Sequence, residues 1–465
     1  VAPDPDELSI DALGETLDLG AWGRPGASDG VSIRPPGSKS LTNRAVLLAM
    51  LAPGVSTLRH ALLDADDAVR MRDAAARLGV GVETPGAGTL VIRGSRGRLR
   101  VDPSRDTIDL NNAGTATRFL SAACMLADRP VTVTGNERMR RRPIGQLAQI
   151  LRSLGCGVEH MERDGCVPIR ITPPEALPEG AGVEVPRTES SQFVSALMLV
   201  APVLPGGMTI TMPQGVTSES YVRMTIRLLD TIGVRVRHSE DLRVVRIDEG
   251  LGAFDLEVEP DASGATYWWA AGALIPGAPV RVEGFARRDD PLQGDARFPG
   301  LLERMGCRVD ETARGVACLG SDTPRALSCD MRDMPDAVMS LASVACFAPG
   351  MSVIRGVRTL RVKECDRIRA MRLELAKIGV EVDEDHDGDE DTLAIIPPER
   401  GVDCSDSAPR VVLGTHDDHR MAMSLSLLAL RRPNVVIDDP ACVAKTYPNY
   451  WRDFASLYTS GRVRG

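Results

Sequence analysis

The stretch PPGSKSLTNRAVLLAMLAPGVSTLRH, Pro35–His60, opens on a proline–glycine turn, sets Lys39 between two serines and adds Arg44. It then runs from Ala45 to Leu51 without a polar residue. A helix with no polar face is buried on every side. Pro53 and Gly54 end it, and the residues that follow have the composition of a strand. This order recurs in ATRFLSAACMLADRPVTVTG, QFVSALMLVAPVLPGGMTITMP, ATYWWAAGALIPGAPVRVEG, AVMSLASVACFAPGMSVIRGV and MAMSLSLLALRRPNVVIDDP. The breaks at Gly54, Pro130, Gly207, Pro279, Gly350 and Asn434 lie roughly 75 residues apart, as in a repeated supersecondary unit.

A second pattern runs between them: an amphipathic helix, a glycine, then a strand. The glycines are Gly79, Gly155, Gly233, Gly306 and Gly379, each placed where a helix end calls for a left-handed residue. Each repeat thus offers an inner helix, an outer helix and several strands. The chain is predicted to be an α/β protein of six βαβ-type modules, three to a domain. Its 465 residues exceed what one core usually supports.

The formal net charge of −9 argues against nucleic acid or an acidic membrane surface as partner, yet leaves room for a small anion at a local basic cluster. No apolar run is of membrane-spanning length. The acidic start VAPDPDELSIDALGETLDL lacks the features of a signal or transit peptide. Ten cysteines without a Cys-x-x-Cys pair read as reduced thiols of a cytoplasmic protein.

The residues just before the inner helices are polar or small, as caps are. Capping does not explain Lys39, Arg44, Arg118 and Arg420 beside helices with no other charge. A cation there opposes the helix dipole, whereas a bound anion would be attracted by the dipole, the free N–H groups and the cation together. Neither a Walker A loop nor a complete G-x-G-x-x-G is present. Further cations cluster in NERMRRRPIGQL (Arg138, Arg140, Arg141, Arg142) and in RVKECDRIRAM, where Glu364 and Asp366 stand among them. In GTHDDHR, Arg420 beside His416, Asp417, Asp418 and His419 opposes a metal.

PPGSKSLTNRA, NAGTATRF, RMRRRPIGQL, SSQFVSALML, PDAVMSLA, RVKECDRI, DDHRMAMSLSLLAL and AKTYPNYW, in this order over Pro35–Trp451, resemble the 5-enolpyruvylshikimate-3-phosphate synthase family of enolpyruvyl transferases. The resemblance implies two similar domains, each of three βαβαββ repeats with buried inner helices, an inside-out α/β barrel-like arrangement. It divides the chain into 37–260 and 1–36 plus 261–465, with the active site in the cleft between. It implies addition of the 5-hydroxyl of shikimate 3-phosphate to C2 of phosphoenolpyruvate, with protonation at C3, and then loss of phosphate. Asp336 would take the hydroxyl proton, Glu364 would be the acid/base on the enolpyruvyl side, and Lys39 would contact both substrates. Shikimate 3-phosphate would be held by Lys39, Ser40, Arg44, Ser190, Ser191, Gln192, Ser218, Tyr221, Asp336, Thr359 and Lys363. Phosphoenolpyruvate would be held by Lys39, Gly114, Thr115, Arg138, Gln192, Arg367, Asp418, Arg420 and Lys445. Thr359 stands where the family often has Asn, which shortens its reach. The resemblance implies no cofactor or metal, a monomer, and competitive inhibition by glyphosate. Two rivals are a UDP-N-acetylglucosamine enolpyruvyl transferase and a non-catalytic anion-binding protein on the same scaffold. The first would need a cysteine in the segment 136–143, which has none; the second would be expected to lack Asp336 or Glu364.

Overall fold

The structure is a computed structural model and describes residues 3, 5–26, 30–187, 190–285 and 291–458. The chain forms two units, Gly37–Glu259 and Val1–Pro36 with Pro260–Gly465.

In the Gly37–Glu259 unit the inner helices are Lys39–Leu51, Gly114–Ala123 and Gln192–Val200, and they pack on one another. Apart from Ser40, Thr115 and Gln192, near the starts of the helices, all of their residues are buried. Ser38 caps the first helix, its hydroxyl accepting from the Leu41 N–H at 3.4 Å. The outer helices Asp66–Arg77, Gly145–Ser153 and Glu219–Thr231 bury one face only. Each ends a residue or two before a glycine with positive φ: Gly79 at 77°, Gly155 at 91° and Gly233 at 85°.

Each repeat closes with a four-stranded sheet. In the second, Thr107–Asp109 pairs parallel with Val131–Thr134 across the inner helix. Ile169–Thr172 and Gly157–His160 then add antiparallel. The third sheet repeats this order with Ala181–Glu184, Met208–Thr211, Val244–Ile247 and Val236–His238. The first sheet takes its parallel lead strand from the far end of the unit, where Asp255–Glu257 pairs with Val55–Arg59.

The other unit has inner helices Ala262–Leu274, Val338–Ala345 and His419–Ser426, buried at every residue. Its first sheet likewise borrows its lead strand: Val31–Ile33, from the N-terminal segment, pairs parallel with Val280–Glu283. The last repeat departs from the pattern. Among the described residues its sheet has three strands, with Thr16–Asp18 adding antiparallel to Val435–Asp438, and the helix–glycine–strand pattern has no sixth copy. The N-terminal segment packs: Leu8 and Leu19 are buried, and the Trp22 ring stands edge-on to Tyr458 at 5.4 Å.

The chain enters and leaves the Gly37–Glu259 unit at adjacent points. Ser38 N–H donates to the Glu259 carbonyl at 2.8 Å, and Asp261 N–H to the Pro36 carbonyl at 2.8 Å. A Cβ on Gly37 would lie 1.8 Å from the His60 carbonyl oxygen, so only glycine fits this entry. Among the described residues no helix is long and apolar enough to cross a membrane.

Candidate active site

In the unit completed by the N-terminal segment, two inner-helix starts, the 358–367 segment and the turn Pro440–Lys445 bring charged groups together. Arg367, first residue of the helix Arg367–Ala376, is 1% exposed and serves three carboxylates. It donates from Nη1 to Asp336 Oδ1 at 2.9 Å, from Nη2 to Glu364 Oε2 at 2.9 Å and from Nε to Asp418 Oδ2 at 2.8 Å. Arg420 Nη2 holds the other oxygen of Asp336 at 2.9 Å, and Lys445 Nζ holds Glu364 Oε1 at 2.9 Å. Lys363 Nζ lies 3.8 Å from Asp336 Oδ1. Asp418 caps its helix by accepting from the Arg420 N–H at 2.9 Å. Among the described residues, four cations thus face three carboxylates in a largely water-excluded cluster.

Burial alone would raise the Asp336 carboxyl, but Arg420, Lys363 and Arg367 outweigh it and hold the group well below the ordinary carboxylate range. Burial would lower the Arg367 guanidinium; Asp418, Glu364 and Asp336 reverse that and raise it. Tyr267, whose hydroxyl lies 3.4 Å from Arg420 Nη1, is pushed up to about 12 by burial despite that arginine. Asp295, buried and bonded to the Ser263 hydroxyl, is pushed up to about 7, first by burial and then by the Asp336 charge.

That last value has a measurable consequence. Folded Asp295 titrates above a carboxyl in the unfolded chain, so its contribution to stability is full below about pH 4 and is lost as pH climbs through about 7. Asp295→Asn should flatten the fall of Tm between about pH 5 and about pH 8, read by thermal melts of both proteins across that range. The Asp336 contribution has the opposite sign and sits at lower pH, being lost only on acidification.

In the Gly37–Glu259 unit the polar residues at the inner-helix starts also meet. Gln192 Nε2 donates to Thr115 Oγ1 at 3.1 Å, joining the first turns of two helices, and the Ser190 hydroxyl accepts from the Gln192 N–H at 3.3 Å. Lys39 Nζ lies 3.3 Å from Asp67 Oδ2, a carboxylate 2% exposed at the start of an outer helix. Arg44 is spent largely on the protein: Nε donates to Thr225 Oγ1 at 2.8 Å, and Nη2 reaches Ser195 Oγ at 3.2 Å and the Tyr221 carbonyl at 3.3 Å. Burial lowers it to about 10. Ser218 is the left-handed residue (φ 52°) before the helix that carries Tyr221. Ser191 is buried directly before Gln192.

Three further stretches singled out in the sequence have the following surroundings. Arg118 is engaged by the protein; its Nη2 donates to the Pro143 carbonyl at 2.7 Å and its Nη1 to Met139 Sδ at 3.2 Å, bracing the 139–143 segment. Arg138 is half-buried, whereas Arg142 is 8% exposed and lies against Gly114. A Cβ on Gly114 would sit 2.6 Å from Arg142 Nη1, and Arg142 Nε and Nη1 are buried without a hydrogen-bond acceptor among the described residues. Sequence reading grouped Arg142 with its neighbouring arginines and did not single it out; its burial with unmet donors beside Gly114 sets it apart from them. The Thr359 hydroxyl, offered as a substrate contact, is covered and meets no partner among the described residues.

Compared with known proteins, residues 28–454 match the family model for EPSP synthase (3-phosphoshikimate 1-carboxyvinyltransferase). A 3-phosphoshikimate 1-carboxyvinyltransferase of Salmonella schwarzengrund is 38% identical over 431 residues, covering 92% of this chain and 96% of that protein. One from Klebsiella pneumoniae is 39% identical over the same lengths. The solved EPSP synthase of Acinetobacter baumannii superposes with a TM-score of 0.74 at 25% identity, covering 94% of this chain and 97% of that one. The enolpyruvyl transferase NikO of Streptomyces tendae, at 19% identity and a TM-score of 0.69 over 96% of this chain and 98% of its own, shares the fold.

Proposed function

The chain belongs to the EPSP synthase (3-phosphoshikimate 1-carboxyvinyltransferase) family, and from that premise we propose how its residues divide the reaction. It is an enzyme of the shikimate pathway, on the way to aromatic amino acids. It transfers the enolpyruvyl group of phosphoenolpyruvate to the 5-hydroxyl of shikimate 3-phosphate and releases phosphate. The observation that carries our assignment of roles is the cluster around Arg367, in which Asp336 and Glu364 each share that guanidinium while facing different further cations.

Asp336 is the base. A carboxylate kept ionised by Arg420, Lys363 and Arg367 can accept the proton of the 5-hydroxyl as its oxygen attacks C2. Glu364 manages the proton at C3. It is bound by Arg367 and Lys445; when the anionic substrate draws Lys445 to itself, a proton can take that cation's place on Glu364 and pass to C3. The tetrahedral intermediate then returns a proton from the methyl carbon as the C–O bond to phosphate breaks. Both substrates are multiply anionic, and their repulsion is met by fixed positive charge and not by water. We assign phosphoenolpyruvate to Lys39, Gly114, Thr115, Gln192, Arg367, Asp418, Arg420 and Lys445. Arg138 stays as the sequence resemblance places it, and Arg142 joins it on the strength of its unmet donors beside Gly114. We assign shikimate 3-phosphate to Lys39, Ser40, Arg44, Ser190, Ser191, Gln192, Ser218, Tyr221, Asp336 and Lys363. Thr359 would need its hydroxyl uncovered to take part.

A UDP-N-acetylglucosamine reading is disfavoured because Cys124 is fully buried in the inner layer, where burial pushes its thiol far up. The enzyme is proposed to act as a cytoplasmic monomer without a cofactor. Phosphate release from phosphoenolpyruvate, with and without shikimate 3-phosphate, tests the function: release should depend on the second substrate, and its absence would overturn the reading. Glyphosate should raise the apparent KM for phosphoenolpyruvate and leave kcat unchanged; a fall in kcat at saturating phosphoenolpyruvate would count against competition at this site.

A further inference from the structure

His416 lies outside the machinery described so far, in the turn Gly414–Asp418 that leads to Asp418 and Arg420. Two consecutive residues of that turn, His416 at φ 56° and Asp417 at φ 54°, adopt the left-handed conformation that side chains disfavour. Such a turn persists only where its surroundings hold it. Here the holder is Glu374, a carboxylate whose side chain is 5% exposed. Glu374 Oε2 accepts from the Gly414 N–H at 2.6 Å and from Lys377 Nζ at 2.6 Å, and Oε1 lies 2.9 Å from His416 Nε2. An ionised carboxylate can only accept, so this contact puts the proton on Nε2. Lys377 also donates to the Val412 carbonyl at 3.0 Å, tying the same helix to the strand before the turn. A Cβ on Gly414 would come within 3.2 Å of Glu374 Oε1, so the glycine lets the turn lie close on the carboxylate.

Glu374 stands seven residues after Arg367 on the helix Arg367–Ala376, which places both on one face, two turns apart. The segment Gly414–Arg420 is therefore fastened to this helix at two points. At one, Arg367 binds Asp418; at the other, Glu374 binds Gly414 and His416. Asp418 in turn fixes the Arg420 backbone, and Arg420 reaches Asp336.

We propose that His416 is a positioning residue: by gripping Glu374 it fixes the strained turn, and thereby sets where Arg420 and Asp418 stand relative to Arg367 when phosphoenolpyruvate binds. This rests on the assignment of those residues to phosphoenolpyruvate. Among the described residues the imidazole bonds to Glu374 and to none of the proposed substrate-binding side chains; its effect passes through Glu374 and the turn.

The test compares His416→Asn with His416→Gln. Asparagine tolerates the left-handed conformation but is too short to keep the contact, whereas glutamine carries an N–H that reaches further. In the full-length enzyme, His416→Asn should raise KM for phosphoenolpyruvate about five- to twenty-fold, leave KM for shikimate 3-phosphate within about two-fold, and lower kcat by less than about three-fold. Amide exchange over 414–420 should quicken in the same variant, and His416→Gln should recover most of both effects. An unchanged KM for phosphoenolpyruvate in His416→Asn, an equal rise in both KM values, or a lower Tm with unaltered kinetics would overturn the proposal. Failure of the functional reading is read separately, on the unsubstituted chain: no phosphate release dependent on shikimate 3-phosphate overturns both, while normal release with an indifferent Asn variant overturns this inference alone.

Discussion

Asp336→Asn should lower kcat by about two to four orders of magnitude, the usual worth of a positioned general base, with KM for both substrates changed far less. The side chain keeps its shape and one oxygen but loses the charge that accepts the proton. Stability should move too. Asp336 is the shared acceptor of Arg367 and Arg420 and lies near Lys363, and neutralising it leaves those cations less compensated. The Tm of the ligand-free variant should therefore fall, and added phosphate or phosphoenolpyruvate should recover part of the loss by supplying negative charge. Steady-state kinetics and melts with and without each anion check both limbs. A variant retaining more than about a tenth of parental kcat would remove Asp336 from the role of base.

Arg367→Met should be the most damaging single change to the fold among the site residues. It removes the one guanidinium that contacts Asp336, Glu364 and Asp418 together, all three largely buried. Breaking a buried ion pair by removing one partner costs about 3–5 kcal/mol, because the remaining charge is stranded. In a unit of this size that corresponds to a Tm lower by roughly 10 °C. Acidification should narrow the gap between variant and parent, since protonating the stranded carboxylates relieves the variant while depriving the parent of its pairs. Chemical denaturation at neutral and acidic pH distinguishes this from a simple packing loss, which would be independent of pH.

The repeat was legible because its signal is physical and long. An inner helix such as Ala262–Leu274 has no polar face to offer water, and five outer helices end just before a glycine that is left-handed in the structure, Gly306 and Gly379 included. The source of the two distant lead strands was not legible in periodicity. Val31–Ile33 and Asp255–Glu257 have three residues each, too few to show an alternation, and their partners are set by the fold as a whole. Among the site residues, types and clustering could be read, but competition among similar residues could not. Four arginines stand within 138–142, and a 3-10 turn at Met139–Arg141 decides that Arg142 turns inward towards Gly114. Arg118 carries the same charge in the sequence as Arg44, yet both are largely consumed by protein acceptors, which only tertiary contacts reveal. His416 stood out only as one of a cluster of metal-ligand types; its contact with Glu374 gave no signal, because that partner lies 42 residues earlier on another helix.

The placement of the lead strands also bears on how such a chain could have arisen. Residues 37–259 form one uninterrupted stretch that contains all three of its own lead strands, and its first and last residues lie a hydrogen bond apart. The flanking pieces are likewise joined across the gap by the bond from Asp261 to Pro36. A gene for one closed three-repeat module could accept a second copy at this single locus without cutting any sheet, and the duplicate could be excised again leaving ends that already touch. In those terms the two peptide crossings are a single seam, closed by a hydrogen bond on either side.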